Sequence, residues 1–229
     1  MKIIAAIFAR GNSKGIKNKN LLNFKNTSLL GHAIKQAHKI KMIDSVYVSS
    51  DSKKIINEAI KNKAIVPFIR PRALALDNSP EIFSWRHFAK YLLKNNIKCD
   101  YIVSVPTTSP LRKISDISRC ISLAAKNNFD IVFSISRTNK NPFFNILVKK
   151  NKRLKILSNR KNLYFRRQDA PECYNLTTVC YVFKPAYILK KLDLFSGNVG
   201  YVEIPKERAI DIDDKFDYEI TKIVSKNVK

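Results

Sequence analysis

Residues 3–15 read Ile-Ile-Ala-Ala-Ile-Phe-Ala-Arg-Gly-Asn-Ser-Lys-Gly, a nearly continuous apolar run followed by a turn that contains two glycines. A short run with almost no polar residues is typical of a strand buried on both faces, as in a parallel sheet covered by helices. Ligands of open α/β sheets bind at the carboxyl ends of the strands, where this turn lies. The segment therefore predicts an α/β fold with a binding site beside residues 9–15.

Apolar runs of strand length alternate with amphipathic segments of helix length along the rest of the chain. This βαβα alternation predicts a three-layer α/β fold with a mostly parallel sheet. Asp51 is expected to cap the second helix. The expected strands are 3–8, 45–50, 66–69, 101–105, 131–135, 179–183 and 201–204. The other expected helices are 28–40, 80–95, 114–125 and 216–224.

Residues 138–175 interrupt this alternation. The segment is rich in Lys, Asn and Arg, contains two aromatic pairs and lacks a long periodic helix. Ordered domains rarely contain so long a plain loop. We therefore expect a single domain over residues 1–229, the usual size for one domain, with 138–175 as an arm or hairpin that packs against a second subunit.

The composition is that of a globular protein with a large positive charge. Lys and Arg number 43 against 18 Asp and Glu, which gives a formal charge of +25 at pH 7. The basic residues are spread along the whole chain and are not interleaved with aromatic residues as in RNA-binding signatures. We favour a solvated basic surface, with nucleic-acid binding and electrostatic steering of small anionic substrates as the alternatives.

The cysteines and the apolar runs indicate the compartment. The four cysteines have no spacing typical of a zinc site or a redox pair, so we expect reduced thiols. No apolar run approaches the ~20 residues of a membrane span. The first run ends at Ala9 and is followed by Arg10 rather than by a small-residue cleavage site, unlike a signal peptide. We expect a cytoplasmic protein.

The turn after the first strand offers groups that bind phosphate. Gly11 and Gly15 let the backbone approach a ligand closely, and free N–H groups in such turns surround phosphate oxygens. Arg10, Lys14 and Lys19 add positive charge suited to a triphosphate. The turn is neither a Walker loop nor a GxGxxG fingerprint. From spacing alone, a phosphate-binding loop and a flexible polar loop are equally supported.

A second candidate site lies near the other end of the chain, where Asp211 and Asp213 alternate with isoleucines. Because side chains alternate along an extended segment, both carboxylates are expected on the same face. Such a pair suits Mg²⁺, which keeps several waters and bridges to substrate phosphates. Capping of the last helix by Asp213 or Asp214 is the alternative, but it explains one aspartate and not the alternation.

Together with further short motifs, these segments resemble the acylneuraminate cytidylyltransferases (CMP-sialic acid synthetases), which activate sialic acids and related nine-carbon sugars. The resemblance extends over nearly the full chain, and the order and spacing of the motifs make it specific. The matching motifs are Arg10–Gly15 with Lys19-Asn20, Leu29-Leu30-Gly31-His32, Val48-Ser49-Ser50-Asp51, Arg70-Pro71 with Leu74–Asp77, Thr108–Arg112, Arg167-Gln168 with Pro171, and Ile210–Asp213.

The resemblance implies a nucleotide-diphospho-sugar transferase fold, which is Rossmann-like, and a homodimer whose arm reaches the neighbouring active site. It implies Mg²⁺ as cofactor, CTP and a sugar acid as substrates, and catalysis by Arg10, Lys19 and the two aspartates. The implied site residues are Ala9, Arg10, Gly11, Ser13, Lys19, Asn20, Arg70 and Ser79 at the nucleotide, Arg167 and Gln168 towards the sugar acid, and Asp211 and Asp213 at the metal.

Four positions depart from the family pattern. Pro106 replaces a Gln and removes one side-chain hydrogen bond, and Glu81 replaces a small hydroxyl residue. Phe143-Phe144 stand where the arm usually has a lysine, and residues 177–179 read Thr-Thr-Val instead of Asn-Gly-Ala. Three of these positions lie towards the sugar. We therefore expect a variant acceptor, such as pseudaminic, legionaminic or a deoxy-octulosonic acid.

The expected reaction joins CTP to the sugar acid and releases pyrophosphate. The anomeric hydroxyl would attack the α-phosphorus in line, with positioning and electrostatic stabilisation as the main sources of rate. Transfer of another nucleotide, for example guanylyl transfer to a sugar phosphate, is the alternative among enzymes. A catalytically silent nucleotide-binding or RNA-binding homologue is the alternative of another class.

Overall fold

The computed structural model describes residues 1–158 and 164–227, whose strands and helices follow in chain order. The strands are β1 (Ile3–Phe8), β2 (Asn23–Phe24), β3 (Thr27–Ser28), β4 (Ser45–Ser49), β5 (Tyr101–Ser104), β6 (Ile131–Arg137), β7 (Leu147–Lys150), β8 (Arg153–Ile156), β9 (Tyr174–Phe183) and β10 (Val199–Glu203). The helices are α1 (Leu29–His38), α2 (Lys53–Lys61), α3 (Glu81–Lys94), α4 (Ile114–Lys126), α5 (Pro185–Lys190) and α6 (Lys215–Asn227). Short 3₁₀ turns occupy Lys19–Leu21, Arg72–Leu74, Arg167–Asp169 and Lys206–Arg208.

Six strands form the central sheet in the order β10-β6-β9-β5-β1-β4. Neighbouring strands are parallel except β9, which runs antiparallel to both β5 and β6. The chain leaves β6 into residues 138–173 and returns in β9, which pairs with β6 in the opposite direction. The predicted mostly parallel sheet is confirmed.

Helices cover both faces of this sheet, as the three-layer prediction requires. In β1, Ile3, Ala5 and Ile7 pack into one apolar core with α1, α2 and α4. The alternate residues Ile4 and Ala6 pack into a second core with α3 and α5. Because β1 is buried on both faces, it shows the continuous apolar run from which its position was predicted.

Two expectations about local structure are wrong. Residues 66–69 form no strand. The isolated bridges in this region join Ile65 to Tyr47 and Ile69 to Ser50, and Pro67 between them has no N–H for a ladder. Asp51 does not cap α2; its Oδ1 accepts a hydrogen bond from the Gly11 amide at 2.9 Å instead. Asp51 therefore holds the glycine turn.

The arm over residues 138–175 contains an antiparallel hairpin of β7 and β8. Asn151 and Lys152 form its turn with positive φ angles, a conformation that asparagine tolerates well. Leu147, Leu154 and Leu157 of the hairpin region are exposed to solvent. The arm thus carries apolar side chains that residues 1–158 and 164–227 leave exposed.

Candidate active site

A cleft of about 460 Å³ opens at the edge of the sheet where β1 and β5 end and β9 begins. This is the edge at which open α/β sheets bind their ligands. The cleft brings together groups from both ends of the sequence. The predicted site residues that line it are Arg10, Ser13, Lys19, Asn20, Arg70, Ser79 and Asp213.

Hydrogen bonds hold the glycine turn in place at the cleft. The Asn20 side-chain amide donates to the Arg10 carbonyl oxygen at 2.9 Å, and Thr107 Oγ1 donates to Asn20 Oδ1. Arg10 Nη1 lies 2.8 Å from Asp77 Oδ1, which fixes the guanidinium at the cleft wall. Ala9 and Gly11 were also predicted at the nucleotide, but they do not line the cleft: Ala9 is buried in the core and the Gly11 amide is bound to Asp51.

The glycine turn packs directly against the acidic segment. A Cβ atom on Gly15 would lie 1.9 Å from the Asp213 carbonyl oxygen, so only glycine fits there without displacing Asp213. Lys19 Nζ donates to the Ile212 carbonyl oxygen at 2.7 Å and lies 3.3 Å from Asp213 Oδ1. Two segments almost 200 residues apart in the chain therefore form one wall of the cleft.

The two aspartates line adjoining cavities. Ile212 between them is fully buried and anchors the segment. Asp213 lines the cleft, whereas Asp211 lines a neighbouring cavity of about 600 Å³, and Thr178 lines both. Asp214 accepts a hydrogen bond from the Asp217 amide at 3.0 Å at the start of α6. Asp214 is therefore the residue that caps α6, and the carboxylates of Asp211 and Asp213 are not needed for capping.

The aspartates fit a divalent cation that substrate oxygens help to bind. Asp211 Oδ1 is buried, and no hydrogen-bond donor reaches it from any described residue. A buried carboxylate oxygen without a partner costs free energy unless a cation or water binds it. Among the residues described, no group of three or more His, Cys, Asp or Glu is arranged to hold a metal. A cation here would take the remaining ligands from substrate and water, as Mg²⁺ commonly does.

Arg70 places a second charge deep in the cleft. Its side chain is only 4% exposed, donates from Nη1 to Ser84 Oγ at 3.2 Å and lies 3.8 Å from Asp51 Oδ1. Its Nε and Nη2 have no hydrogen-bond partner within the described part of the chain. Burial lowers the pKa of Arg70, and the charge of Asp51 opposes that shift. A guanidinium with unused donors at a cleft wall is suited to an anionic ligand.

Glu81, one of the four departures, also lines the cleft. The residue is accessible to solvent through the open cleft, but protein atoms crowd around its carboxyl group, and this desolvation raises its pKa. Trp85 Nε1 donates to Glu81 Oε1 at 3.1 Å, and this bond and the charge of Arg70 oppose the shift. The substitution therefore adds a carboxyl group to the wall of the ligand cleft.

The predicted sugar residues Arg167 and Gln168 line a further cavity of about 470 Å³ under the arm. Arg167 Nη2 donates to Asn139 Oδ1 at 2.6 Å. Lys206 and Asn139 line both this cavity and the one that contains Asp211. The structure therefore places the three predicted groups of site residues along one continuous series of adjoining cavities.

Sequence reasoning missed several residues at these cavities. Asp51 and Asp77 lie inside motifs that were recognised, but their roles in holding Gly11 and Arg10 follow only from the contacts. Lys206 lies in a basic chain with many lysines, and no pattern distinguished it from the others. Only the tertiary structure places it at a cavity.

The Rossmann-like sheet, with a cleft lined by Arg10, Lys19 and Arg70 at its carboxyl edge, has the architecture expected of a nucleotidyltransferase. The chain belongs to the cytidylyltransferase family, whose profile matches residues 4–222. The predicted relationship to the acylneuraminate cytidylyltransferases is confirmed by this match and by the relatives described next.

Two bacterial relatives match over nearly their whole length. The chain is 28% identical to post-translational flagellin modification protein B of Campylobacter coli, over 98% of this chain and 95% of the relative. It is also 28% identical to CMP-N,N'-diacetyllegionaminic acid synthase of Campylobacter jejuni, over 97% of this chain and 94% of the relative.

A solved structure shows the same fold. CMP:2-keto-3-deoxy-manno-octonic acid synthetase, in complex with CTP, superposes with a TM-score of 0.74 at 12% identity and 99% coverage of both chains. The predicted nucleotide-diphospho-sugar transferase fold is therefore confirmed. No helix in the described residues has the length and apolar character needed to cross a membrane.

Proposed function

We propose that this enzyme transfers the cytidylyl group of CTP to a nonulosonic acid, a sialic-acid-like sugar acid, and releases pyrophosphate. The convergence of the glycine turn and the acidic segment on one cleft is the main support for this proposal. The name of the Campylobacter jejuni relative, a CMP-legionaminic acid synthase, supports the choice of nucleotide and acceptor.

The residues of the cleft account for the chemistry of transfer. The triphosphate would lie against the turn, where Arg10 and Lys19 neutralise its charge. The anomeric oxygen forms a bond to the α-phosphorus as the bond to the β-phosphate bridging oxygen breaks, and the hydroxyl proton passes to solvent or a nearby base. Negative charge grows on the leaving pyrophosphate, and fixed cations at that position lower the barrier.

Asp211 and Asp213 would hold Mg²⁺ in the proposed enzyme. The ion, when bound, would stabilise negative charge on the phosphoryl oxygens of the substrate. The buried, unpartnered Oδ1 of Asp211 supports this assignment. Lys19 beside Asp213 limits the repulsion between the carboxylate and the triphosphate.

The arm supports a homodimer in the proposed enzyme. Its exposed apolar side chains include Leu154 and Phe165, which are 66% and 83% exposed in the single chain. Large apolar side chains left this exposed are common on surfaces that bind another protein. We further propose a cytoplasmic location, which suits the four free cysteines.

One assay tests the proposed activity. The pure protein is incubated with Mg²⁺, each of the four nucleoside triphosphates in turn, and pseudaminic, legionaminic, N-acetylneuraminic or 3-deoxy-octulosonic acid, and products are identified by mass. Of the four nucleotides, we expect only CTP to give a product, which is a CMP-sugar together with pyrophosphate. We expect no product after the metal is chelated. Product with another nucleotide would contradict the assignment of CTP. If no combination of nucleotide and sugar acid gave a product, the proposed activity would be wrong.

A further inference from the structure

We propose that Asp77 competes with the polyphosphate of the nucleotide for two cations of the glycine turn. Its carboxylate contacts Arg10 and Lys14, and it must give up both contacts when the triphosphate binds. The same carboxylate would take the two cations back as pyrophosphate leaves. This inference rests on the proposed function, and it identifies a residue that sets how tightly the cleft holds polyphosphate.

A single carboxylate contacts both cations. Arg10 Nη1 lies 2.8 Å from Asp77 Oδ1, and Lys14 Nζ lies 3.5 Å from Asp77 Oδ2. Arg10 Nη1 also donates to the Leu76 carbonyl oxygen at 3.1 Å. All three charged side chains line the cleft of about 460 Å³. Asp77 therefore brings the segment before α3 into contact with the charged side chains of the glycine turn.

The third cation predicted to bind the triphosphate is also in contact with an acidic residue. Lys19 Nζ lies 3.3 Å from Asp213 Oδ1. Asp213 has a proposed role at the metal, whereas Asp77 has no role in the proposed reaction. A triphosphate is strongly negative, so a carboxylate that stayed beside the same cations would repel it. The contacts of Asp77 must therefore change when the triphosphate reaches Arg10 and Lys14.

The position of Asp77 allows this exchange. Its side chain is 38% exposed, and those of Arg10 and Lys14 are 33% and 76% exposed. Ion pairs this accessible to water are weak. Asp77 belongs to no helix or strand, because it lies between the 3₁₀ turn Arg72–Leu74 and the start of α3 at Glu81. A phosphate group, which accepts hydrogen bonds from the same donors, can therefore replace the carboxylate.

The alternative is that Asp77 only orients Arg10 towards the phosphate. Loss of the carboxylate would then weaken polyphosphate binding, because the guanidinium would be less well ordered. Competition predicts the opposite sign, because loss of the carboxylate frees both cations for the ligand. The direction of the change in affinity therefore separates the two roles.

Binding measured without the sugar acid, and so without transfer, tests the inference. Calorimetry on the intact protein with Mg²⁺ gives the affinities for CTP, for inorganic pyrophosphate and for cytidine, which has no phosphate. The test variant is Asp77→Asn, which keeps the size of the side chain and removes its charge. A double variant, Arg10→Gln with Asp77→Asn, is compared with Arg10→Gln alone. Circular dichroism verifies that each variant is folded.

Asp214→Asn is the matched control for the change in charge. Asp214 adjoins the same turn, since its Cα would lie 3.6 Å from a Cβ on Gly15. Within residues 1–158 and 164–227, however, the ion pairs of Arg10 and Lys14 are with Asp77. Asparagine caps a helix about as well as aspartate does, so this variant should keep α6 intact.

We expect Asp77→Asn to bind CTP and pyrophosphate about threefold to fivefold more tightly, as when one half-exposed ion pair no longer competes. Cytidine should bind the wild type and the variant equally. Asp214→Asn should change the affinity for CTP by less than about twofold, because exposed charges that are not in contact are screened. In the Arg10→Gln background the gain from Asp77→Asn should shrink, since only Lys14 remains to be freed.

Unchanged or weaker binding of CTP and pyrophosphate by Asp77→Asn would overturn the inference. An equal gain in Asp214→Asn, an equal gain for cytidine, or a gain that is undiminished in the Arg10→Gln background would also overturn it. If Asp77→Asn binds CTP and pyrophosphate more tightly but no combination of nucleotide and sugar acid gives product in the activity assay, the proposed reaction is wrong and the competition at the turn stands.

Discussion

Gly15 and Asp213 show how single residues make the cleft. The absence of a side chain at Gly15 lets the Asp213 carbonyl oxygen lie where a Cβ would otherwise be. The glycine is required by this close approach and not by its backbone angles, because its φ is in the ordinary range. Its role is to let the acidic segment pack against the glycine turn.

Gly15→Ala should therefore separate the two segments and lower the catalytic efficiency about tenfold to a hundredfold, since small displacements of reacting groups are costly. The variant should also unfold at a lower temperature, because the added Cβ would clash with a backbone oxygen rather than with the end of a flexible side chain. Steady-state kinetics with CTP and thermal unfolding measure both effects. Asn12→Ala in the same turn, at an exposed residue outside the cleft, is the control. Normal kinetics in Gly15→Ala would show that the contact with Asp213 is not needed.

Asp211 has a buried carboxylate oxygen that no described residue satisfies, and the proposed metal site would account for it. Asp211→Ala removes a buried carboxylate oxygen that has no hydrogen-bond partner among the described residues. We expect kcat to fall about 10²–10³-fold while the free energy of unfolding stays the same or rises by about 1 kcal/mol. Urea unfolding and single-turnover kinetics measure the two quantities.

The neighbouring Asp214→Ala serves as the control for this experiment. Asp214 caps α6, so its loss should lower the free energy of unfolding by about 1 kcal/mol and leave turnover nearly normal. If a folded Asp211→Ala variant kept normal turnover, the assignment of Asp211 to the metal would be wrong.

At the scale of elements, α4 and the turn before the acidic segment are joined by a buried ion pair. Asp116 is fully buried at the start of α4, where its Oδ2 also accepts from the Lys113 amide at 2.9 Å. Arg208 donates to both of its carboxylate oxygens, and this bidentate bond raises the pKa of Arg208. The pair positions the 3₁₀ turn that leads into Asp211.

Arg208→Met should leave the Asp116 carboxylate buried with one remaining partner. We expect the free energy of unfolding to fall by about 3 kcal/mol, because the loss of one member of a buried pair strands the other charge. Glu219→Gln, which removes an exposed ion pair on α6, should cost less than about 0.5 kcal/mol. Urea denaturation compares the two variants. Equal costs would mean that the Asp116–Arg208 pair contributes no more than a surface pair.

At the scale of the whole molecule, the arm is the part proposed to pack against a second chain. Its hairpin exposes Leu154 and Leu157, although the sheet beside it is covered on both faces. The proposed homodimer would bury these side chains. A formal charge of +25 opposes association of two chains, so the apolar contact must outweigh that repulsion.

The double variant Leu154→Lys, Leu157→Lys should convert the dimer to a monomer, because it places two charges in the proposed apolar interface. Light scattering after size-exclusion chromatography gives the mass of each form. Leu93→Lys, at an exposed leucine of α3, should leave the dimer intact. A wild-type monomer, or a dimer that survives the double variant, would contradict the role of the arm.

The sequence by itself was sufficient for the layers of the fold and for most of the predicted residues that the structure places around the cleft. The spacing of apolar residues follows from which side chains are buried. The apolar run of β1 and the amphipathic helices could therefore be predicted from the sequence. The glycine turn and Asp211 to Asp213 were also visible, because each is a local pattern. The expected strand over 66–69 was wrong, and the direction of β9 was not predicted, since strand pairing depends on partners elsewhere in the chain.

Only the tertiary structure decided how distant residues meet. The contact of Gly15 with Asp213, the bond of Asp51 to the Gly11 amide, and the ion pair of Arg10 with Asp77 each join residues that are far apart in the chain. No local pattern encodes such contacts, because they arise when packing of the sheet and helices brings loops to the same edge. The identity of each side chain was set by the sequence, and its chemical partner was set by the fold.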